Sequence, residues 1–248
     1  MRIERLDGGI TSVPGFRASG VRSGVKSRGL DLALIVSDVG PVPAAGAFTT
    51  NSVRAAPVQV TMKHLRRGRK FGAVVINSGC ANSFTGEKGL RDARRMAELV
   101  AQVLGLRPHE VAVASTGMIG TYLPMTKIES GIRKAAEELS PSREAAAKAS
   151  KAIMTTDQVP KEVVARVKCG DGTSITIAGM AKGAGMIRPR LRAATMLAFV
   201  TTDARVDPTV LRTSLQSAVD KSFNMITVDN ETSTNDTCLL YTSPSPRD

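Results

Sequence analysis

Apolar and polar positions follow two different periods along the chain. Short runs rich in β-branched residues occur at Ala33–Val36, Pro57–Thr61, Ala73–Ile76, Val111–Ala114, Val163–Lys168, Ser174–Ala178, Met196–Thr201 and Met225–Val228. Runs of this length and composition predict β-strands. The longer period appears in Lys88–Leu104, where Leu90, Ala93, Ala97, Val100 and Leu104 recur every three or four residues and Gly105 supplies a stop. That spacing gives one apolar face of a helix. Helices are also predicted over Lys127–Leu139, Ser142–Ile153 and Pro208–Val219. Asp207 offers the last of these an N-cap carboxylate, and Pro208 has a fixed φ that suits a first helical turn.

Strands outnumber helices, and several follow one another with no helix between them. The pattern predicts an α/β fold, a layered mixed-sheet domain rather than a strict βαβ array. Gly40-Pro-Val-Pro43 and Pro141-Ser142 read as connectors, and no internal repeat is present. From Cys238 to Asp248 the chain reads C-L-L-Y-T-S-P-S-P-R-D and turns abruptly Ser/Pro-rich. This run resembles the read-through translation of a sequencing adapter, and it is set apart from the fold as a non-native tail. The plainer alternative is a disordered natural terminus. On the first reading the natural chain continues past Thr237 in other residues.

Composition narrows the class. Of 248 residues, 42% are hydrophobic and 23% charged, which excludes a wholly disordered chain. Aromatics are 3% with no Trp, so the core is expected to be aliphatic. Three Cys without C-x-x-C spacing and only two His argue against a disulfide scaffold and a metal site. Acidic residues near the N-terminus exclude a signal or transit peptide, and no run nears the ~18 apolar residues of a membrane span. A cytoplasmic setting with no membrane partner is the expectation.

The net charge of +12 is uneven, with +8 of it in residues 1–70 and the densest run at Lys63–Lys70, K-H-L-R-R-G-R-K. This run reads either as a patch for nucleic acid or another anionic surface, or as a solvated loop joining two strands. Scarce aromatics weigh against base stacking, and nucleic acid is not an expected partner. A second basic stretch, Lys182 to Arg192, lies in a segment with no acid between Asp171 and Asp203. It could hold a small carboxylate.

Conventional catalytic arrangements are poorly supplied. His64 sits in a charged run and His109 in a predicted loop, so neither is an obvious base. No P-loop occurs, and Gly183-Ala-Gly185 is too short to claim a dinucleotide site. No cofactor is expected. One nucleophile that needs no His is a Thr hydroxyl whose base is its own freed α-amino group, with a pKa near ~8. Such a Thr needs small residues before it and a rigid strand after it. Ala193-Ala194-Thr195-Met196 meets both needs, although a Thr opening a strand is far more often a packing residue.

Six separated motifs then coincide with a known family. They are N-S-G-C-A-N at 77–82, S-T-G-M-I-G at 115–120, I-M-T-T-D at 153–157, G-M-A-K-G-A-G-M-I at 179–187, A-T-M-L-A-F-V-T-T-D-A at 194–204 and S-T-N-D-T at 233–237. In these the chain resembles the ornithine acetyltransferase family, bifunctional glutamate N-acetyltransferases of arginine biosynthesis, over residues 1–237. The resemblance implies the layered fold of the self-cleaving ornithine acetyltransferase/aminopeptidase type. It implies autocleavage between Ala194 and Thr195, giving an α segment (1–194) and a β segment that starts at Thr195. Thr195 is then the nucleophile that moves an acetyl group from N2-acetylornithine to glutamate, with acetyl-CoA as a further conceivable donor. Thr116 and Gly117 match the oxyanion-stabilising pair, and Thr155 and Lys182 match substrate-contacting positions. The segments are implied to assemble as a dimer of heterodimers.

The chain departs from the family in two places. Pro189 to Thr195 is two residues longer than the usual approach to the cleavage Thr. Family chains also continue well past S-T-N-D-T and supply a Glu, an Asn and a Thr to the substrate site, so weak activity is expected of this chain alone. The alternative enzyme is a related self-cleaving N-terminal-Thr amidohydrolase or aminopeptidase, which would hand the acyl group to water.

Overall fold

The computed structural model describes residues 2–187 and 196–243. Strand β3 (Leu32–Ser37) is apolar without alternation because both of its faces are buried. Leu32, Leu34 and Val36 pack against helices, while Ala33 and Ile35 face a second sheet. With β2 (Phe16–Val21), β6 (Ala73–Cys80) and β7 (Val111–Met118) it forms a four-stranded sheet in the order β2-β3-β6-β7. Within it β6 and β7 run parallel.

The second sheet has seven strands, in the order β1-β8-β9-β10-β11-β4-β5. These are β1 (Arg2–Leu6), β4 (Val42–Phe48), β5 (Lys70–Phe71), β8 (Lys161–Lys168), β9 (Ser174–Lys182), β10 (Leu197–Thr202) and β11 (Thr237–Thr242). The inner faces of the two sheets share one core, in which Ile35, Ile76 and Ala114 meet Met180, Phe199 and Leu239. Helices α1 (Ala56–Gly68), α2 (Gly86–Leu104) and α3 (Met125–Glu137) cover the outer face of the smaller sheet. Leu211, Leu215 and Val219 of α5 (Pro208–Asp220) pack on the outer face of the larger one. The result is the expected layered mixed-sheet α/β fold.

Helix α4 (Arg143–Ala152) lies against β2 and sends Ala146, Ala149 and Ala152 into the core shared by the sheets. Small residues permit this close packing. A Cβ on Gly20 would stand 2.2 Å from the Lys148 carbonyl oxygen. The predicted Asp207 cap is present, accepting the Thr209 N–H at 2.7 Å, and Ser142 caps α4 by accepting the Ala145 N–H at 3.1 Å.

Several expectations are corrected. Pro57–Thr61 is not a strand but the first part of α1, with Pro57 in the opening turn. Its β-branched residues also satisfy helical spacing, since Pro57, Val60 and Thr61 share the buried side. Burial of that face outweighs their strand preference. Lys63–Lys70 is therefore not a loop joining two strands: it is the second half of α1 followed by the start of β5. Met225–Val228 ends a 3-10 turn and makes one bridge to Ile187, and Met225, Ile226 and Val228 are exposed, with no layer to cover them. The connector expected at Gly40–Pro43 runs into β4, where Pro43 sits near the strand's start.

The run set apart from Cys238 onward fills a strand position. Residues 238–242 pair with β10 on one side and residues 238–241 with β4 on the other. Leu239 and Tyr241 join the inter-sheet core, while Cys238 and Leu240 turn toward α5. Burial pushes the Cys238 thiol up to about 12. The Tyr241 hydroxyl is buried and has no hydrogen-bond partner among the described residues. Residues 244–248 of the run lie outside the described residues. Among the described residues no helix is long and apolar enough to cross a membrane.

Three variants test this packing. Gly20→Ala should lower stability by about 1–3 kcal/mol, because the intruding methyl meets backbone that cannot rotate away. Gly170→Ala, with nothing near its Cβ position, should stay within about 0.5 kcal/mol. Tyr241→Phe should raise stability by about 1 kcal/mol, since it removes a desolvated hydroxyl and no bond. Urea midpoints of the variants check all three, and a lower midpoint for Tyr241→Phe would contradict the buried-orphan assignment.

Candidate functional site

Two of the six motifs leave the smaller sheet side by side. N-S-G-C-A-N ends β6 and S-T-G-M-I-G ends β7, in a register that pairs Asn77 with Ser115, Ser78 with Thr116 and Gly79 with Gly117. Asn77 is fully buried and satisfied locally: its amide donates to the Cys80 carbonyl at 2.8 Å and accepts the Ser115 hydroxyl at 2.6 Å. The two backbones then close on each other. Gly117 has φ +128°, and a Cβ there would lie 2.4 Å from the Gly79 carbonyl carbon and 2.7 Å from the Cys80 nitrogen. Glycine is required on both counts. Asn82 ends the first motif in left-handed backbone, φ +49°, held by its own amide, which donates to Gly89 O at 2.9 Å and accepts Thr85 Oγ1 at 2.7 Å.

Thr116 is 3% exposed at this juncture, and the residue that meets it comes from the other sheet. Lys182, the last residue of β9 and also 3% exposed, donates from Nζ to Thr116 Oγ1 at 3.1 Å. Because the oxygen accepts that bond, the Thr116 proton is left to donate to a further acceptor. Burial lowers the Lys182 pKa, against the carboxylates of Asp157 and Asp236, while Lys161 and Lys26 lower it further. An ammonium in this setting gains strongly from an added carboxylate.

Asp157 closes the I-M-T-T-D motif. Its side chain is fully buried and receives the Lys161 ammonium, the Gly183 N–H at 2.7 Å and the Thr155 N–H at 3.3 Å. Burial alone would raise its pKa, but these donors and the Lys182 charge hold it below the ordinary carboxylate range. Thr155 is half-buried on the same turn. Lys26, on the loop between β2 and β3, donates to Met154 O at 3.0 Å, and burial lowers its pKa against the raising effect of Asp31.

The S-T-N-D-T motif knits these parts together. Asn235 donates both amide hydrogens to main-chain carbonyls of the two motifs, to Ala81 O at 2.6 Å and Ser115 O at 2.9 Å. Thr234 meets Ser83 at 2.7 Å and donates to Asn235 Oδ1, and the Ser233 carbonyl accepts the Thr49 hydroxyl. Asp236 is fully buried and accepts the Met196 N–H. Met196 directly follows Thr195.

Thr116, Gly117, Thr155 and Lys182 are thus brought to one region, and Lys182 is buried rather than solvated. Thr195 and Ala194 lie outside the described residues, as do Pro189 and the basic residues of 188–192. His64 and His109 stand at the other end of β7, where His64 Nδ1 meets Val111 O at 2.9 Å. Asp157, Asp236, Asn235 and Lys26 were not singled out from the sequence. The first three lie inside quoted motifs, and an acid or amide among hydroxyl residues could have marked them. Lys26 carries no such signal. Among the described residues no group of three or more His, Cys, Asp or Glu could hold a metal ion.

Comparison with known proteins gives this arrangement a context. The sequence model of the ArgJ family matches residues 17–246. The arginine biosynthesis bifunctional protein ArgJ of Symbiobacterium thermophilum is 53% identical over 241 residues, covering 96% of this chain and 58% of the relative. The chain therefore spans little more than half the length of such curated relatives. Among solved structures, ArgJ of Bacillus halodurans superposes with a TM-score of 0.72 at 40% identity, over 76% of this chain and 97% of that one. Ornithine acetyltransferase of Mycobacterium tuberculosis, complexed with ornithine, gives 0.70 at 42% identity over 76% and 98%. A Burkholderia β-aminopeptidase shares the fold alone, with a TM-score of 0.57 at 12% identity, over 97% of this chain and 75% of that one. The juncture of two sheets built from these motifs is carried on a sequence matched almost end to end, and the chain belongs to the ArgJ family.

Proposed function

We propose that this chain carries the acyl-transfer site of an enzyme that moves acetyl from N2-acetylornithine to glutamate through an acetyl-Thr195 intermediate. The site forms after the backbone is cut between Ala194 and Thr195. The observation that carries this reading is the bond from the Met196 N–H to Asp236. It tethers the residue next to Thr195 to the same buried segment that binds the Thr116–Gly117 juncture. The solved relatives add support: each of those chains is matched over nearly its whole length by only three quarters of this one, as a segment of a cut precursor would be.

In this reading the freed α-amine of Thr195 takes the proton of its own hydroxyl as Oγ attacks the acetyl carbonyl. The Thr116 hydroxyl and the Gly117 N–H receive the developing oxyanion, each worth about 3 kcal/mol. The carbon–nitrogen bond then breaks, the proton passes to the leaving amine and ornithine departs. The glutamate amine attacks the resulting ester and restores Thr195. Lys182 pairs with the α-carboxylate common to both amino acids, and Thr155 lines the same side. The division is 1–194 as α segment and 195–237 as the start of the β segment, assembled as a dimer of heterodimers in the cytoplasm. Residues 238–248 are a foreign tail whose apolar part occupies a strand slot between β10 and β4. Acetyl-CoA is a second donor to be assayed.

Two outcomes test the proposal in a chain extended with the remaining length of the Symbiobacterium relative. Intact mass should reveal two fragments split between Ala194 and Thr195, with Thr195→Ala staying whole. Cleavage elsewhere, or in the Ala variant, would defeat it. Thr116→Val should lower kcat by about 10²–10³-fold, as loss of one oxyanion donor does. An unchanged kcat would remove Thr116 from the mechanism, and acetate release exceeding acetylglutamate formation would favour the hydrolytic alternative.

A further inference from the structure

The basic run at Lys63–Lys70 finds a different setting from either reading of the sequence. Lys63, His64 and Arg67 of α1 face an open cleft of about 590 Å³, which Arg94 of α2 and the turn bearing Arg107 and His109 complete. The cations come from three separate segments, so the fold and not the run alone gathers them. The cleft adjoins the start of β7, at the end opposite Thr116.

Some cations on the neighbouring helix surfaces are neutralised by partners. Arg95 pairs with Glu129, Lys88 with Asp92 and Lys134 with Glu138. Among the described residues, Lys63, Arg67 and Arg94 make no ion pair. Arg107 is paired with Glu110, and Glu98 is the one carboxylate lining the cleft. His64 lies half-buried with Nδ1 engaged on Val111 O, which leaves Nε2 as its remaining ring nitrogen. Val60, Leu90 and Pro108 give the cleft apolar wall. Unpaired cations converging on a cavity of small-molecule size form an anion receptor by charge and volume together.

We propose that the cleft between α1, α2 and the turn at 108–110 binds a small phosphate-bearing anion of two or more charges. A bound polyanion would offset the burial and the cations of His109, Lys63 and Arg67 that lower the His64 pKa in the free protein. The bound-state pKa is then higher than the free one, so affinity rises as pH falls through the bound value and levels off below the free value. Glu98, facing the same space, moderates the attraction.

The test is calorimetric titration of the 248-residue chain at low ionic strength, with sodium tripolyphosphate and metal-free ATP as probes. One equivalent of each should bind, more tightly at about pH 6 than about pH 8, with His64→Gln narrowing the difference. Arg67→Ala/Arg94→Ala should weaken binding at least about tenfold, while Arg166→Ala/Lys168→Ala, an equal charge loss on exposed β8, should leave it within about twofold. Equal affinity for the two probes would identify the phosphate chain as the recognised part. Tighter ATP binding would assign the nucleoside to the apolar wall, and both results support the site. No one-equivalent binding, equal weakening in the β8 variant, or binding of heparin or single-stranded DNA alone would overturn it.

Discussion

One buried amide holds the two sheets in working relation. Asn235 donates to Ala81 O, just past the end of β6, and to Ser115 O within β7, while its own chain leads directly into β11 of the other sheet. A single such bond contributes about 1 kcal/mol, but breaking it would strand buried carbonyls at a cost of about 1–3 kcal/mol each. The neighbours add to the clamp. Thr234 binds Ser83, Thr49 binds the Ser233 carbonyl, and Asp236 binds the Met196 N–H. Four consecutive polar residues with almost no exposed surface act as a rivet, and chemistry sits where the rivet passes through.

Charge at the juncture is arranged with similar economy. Lys182 is buried against Thr116 and answered by Asp157 and Asp236, so a cation remains available in a space that water barely reaches. Asp157 is depressed below the ordinary carboxylate range by its donors. Its contribution to stability is therefore full above the unfolded-state pKa and lost as pH falls through the lower folded value. Protonation of this carboxylate in acid would release Lys161, Gly183 and Thr155 together.

Much of this was legible in the sequence, and the exceptions have physical causes. Lys88–Leu104 and Pro208–Val219 announced themselves through periodicity and stop or cap residues, and both are helices within two residues of the expected bounds. Pro57–Thr61 misled because β-branched residues fit either a strand or a helix flank, and only the layer packed against them decides. Met225–Val228 misled because apolar character does not create a partner strand. At the site, local reasoning reached Thr195 and, through the basic stretch that it opens, Lys182, while the family resemblance pointed to Thr116, Gly117 and Thr155 and again to Lys182. The necessity of Gly117 is visible only once Gly79 lies beside it. Lys26 and the carboxylates around Lys182 come from segments far apart in the chain, and no local pattern encodes such meetings.

The most direct test is to find where the acetyl group rests during turnover. A chain of the relatives' full length, incubated with N2-acetylornithine and quenched in acid, should carry one acetyl group on the peptide that begins at Thr195. Acetylation of any other residue, or an unmodified Thr195 peptide while acetylglutamate accumulates, would contradict the account.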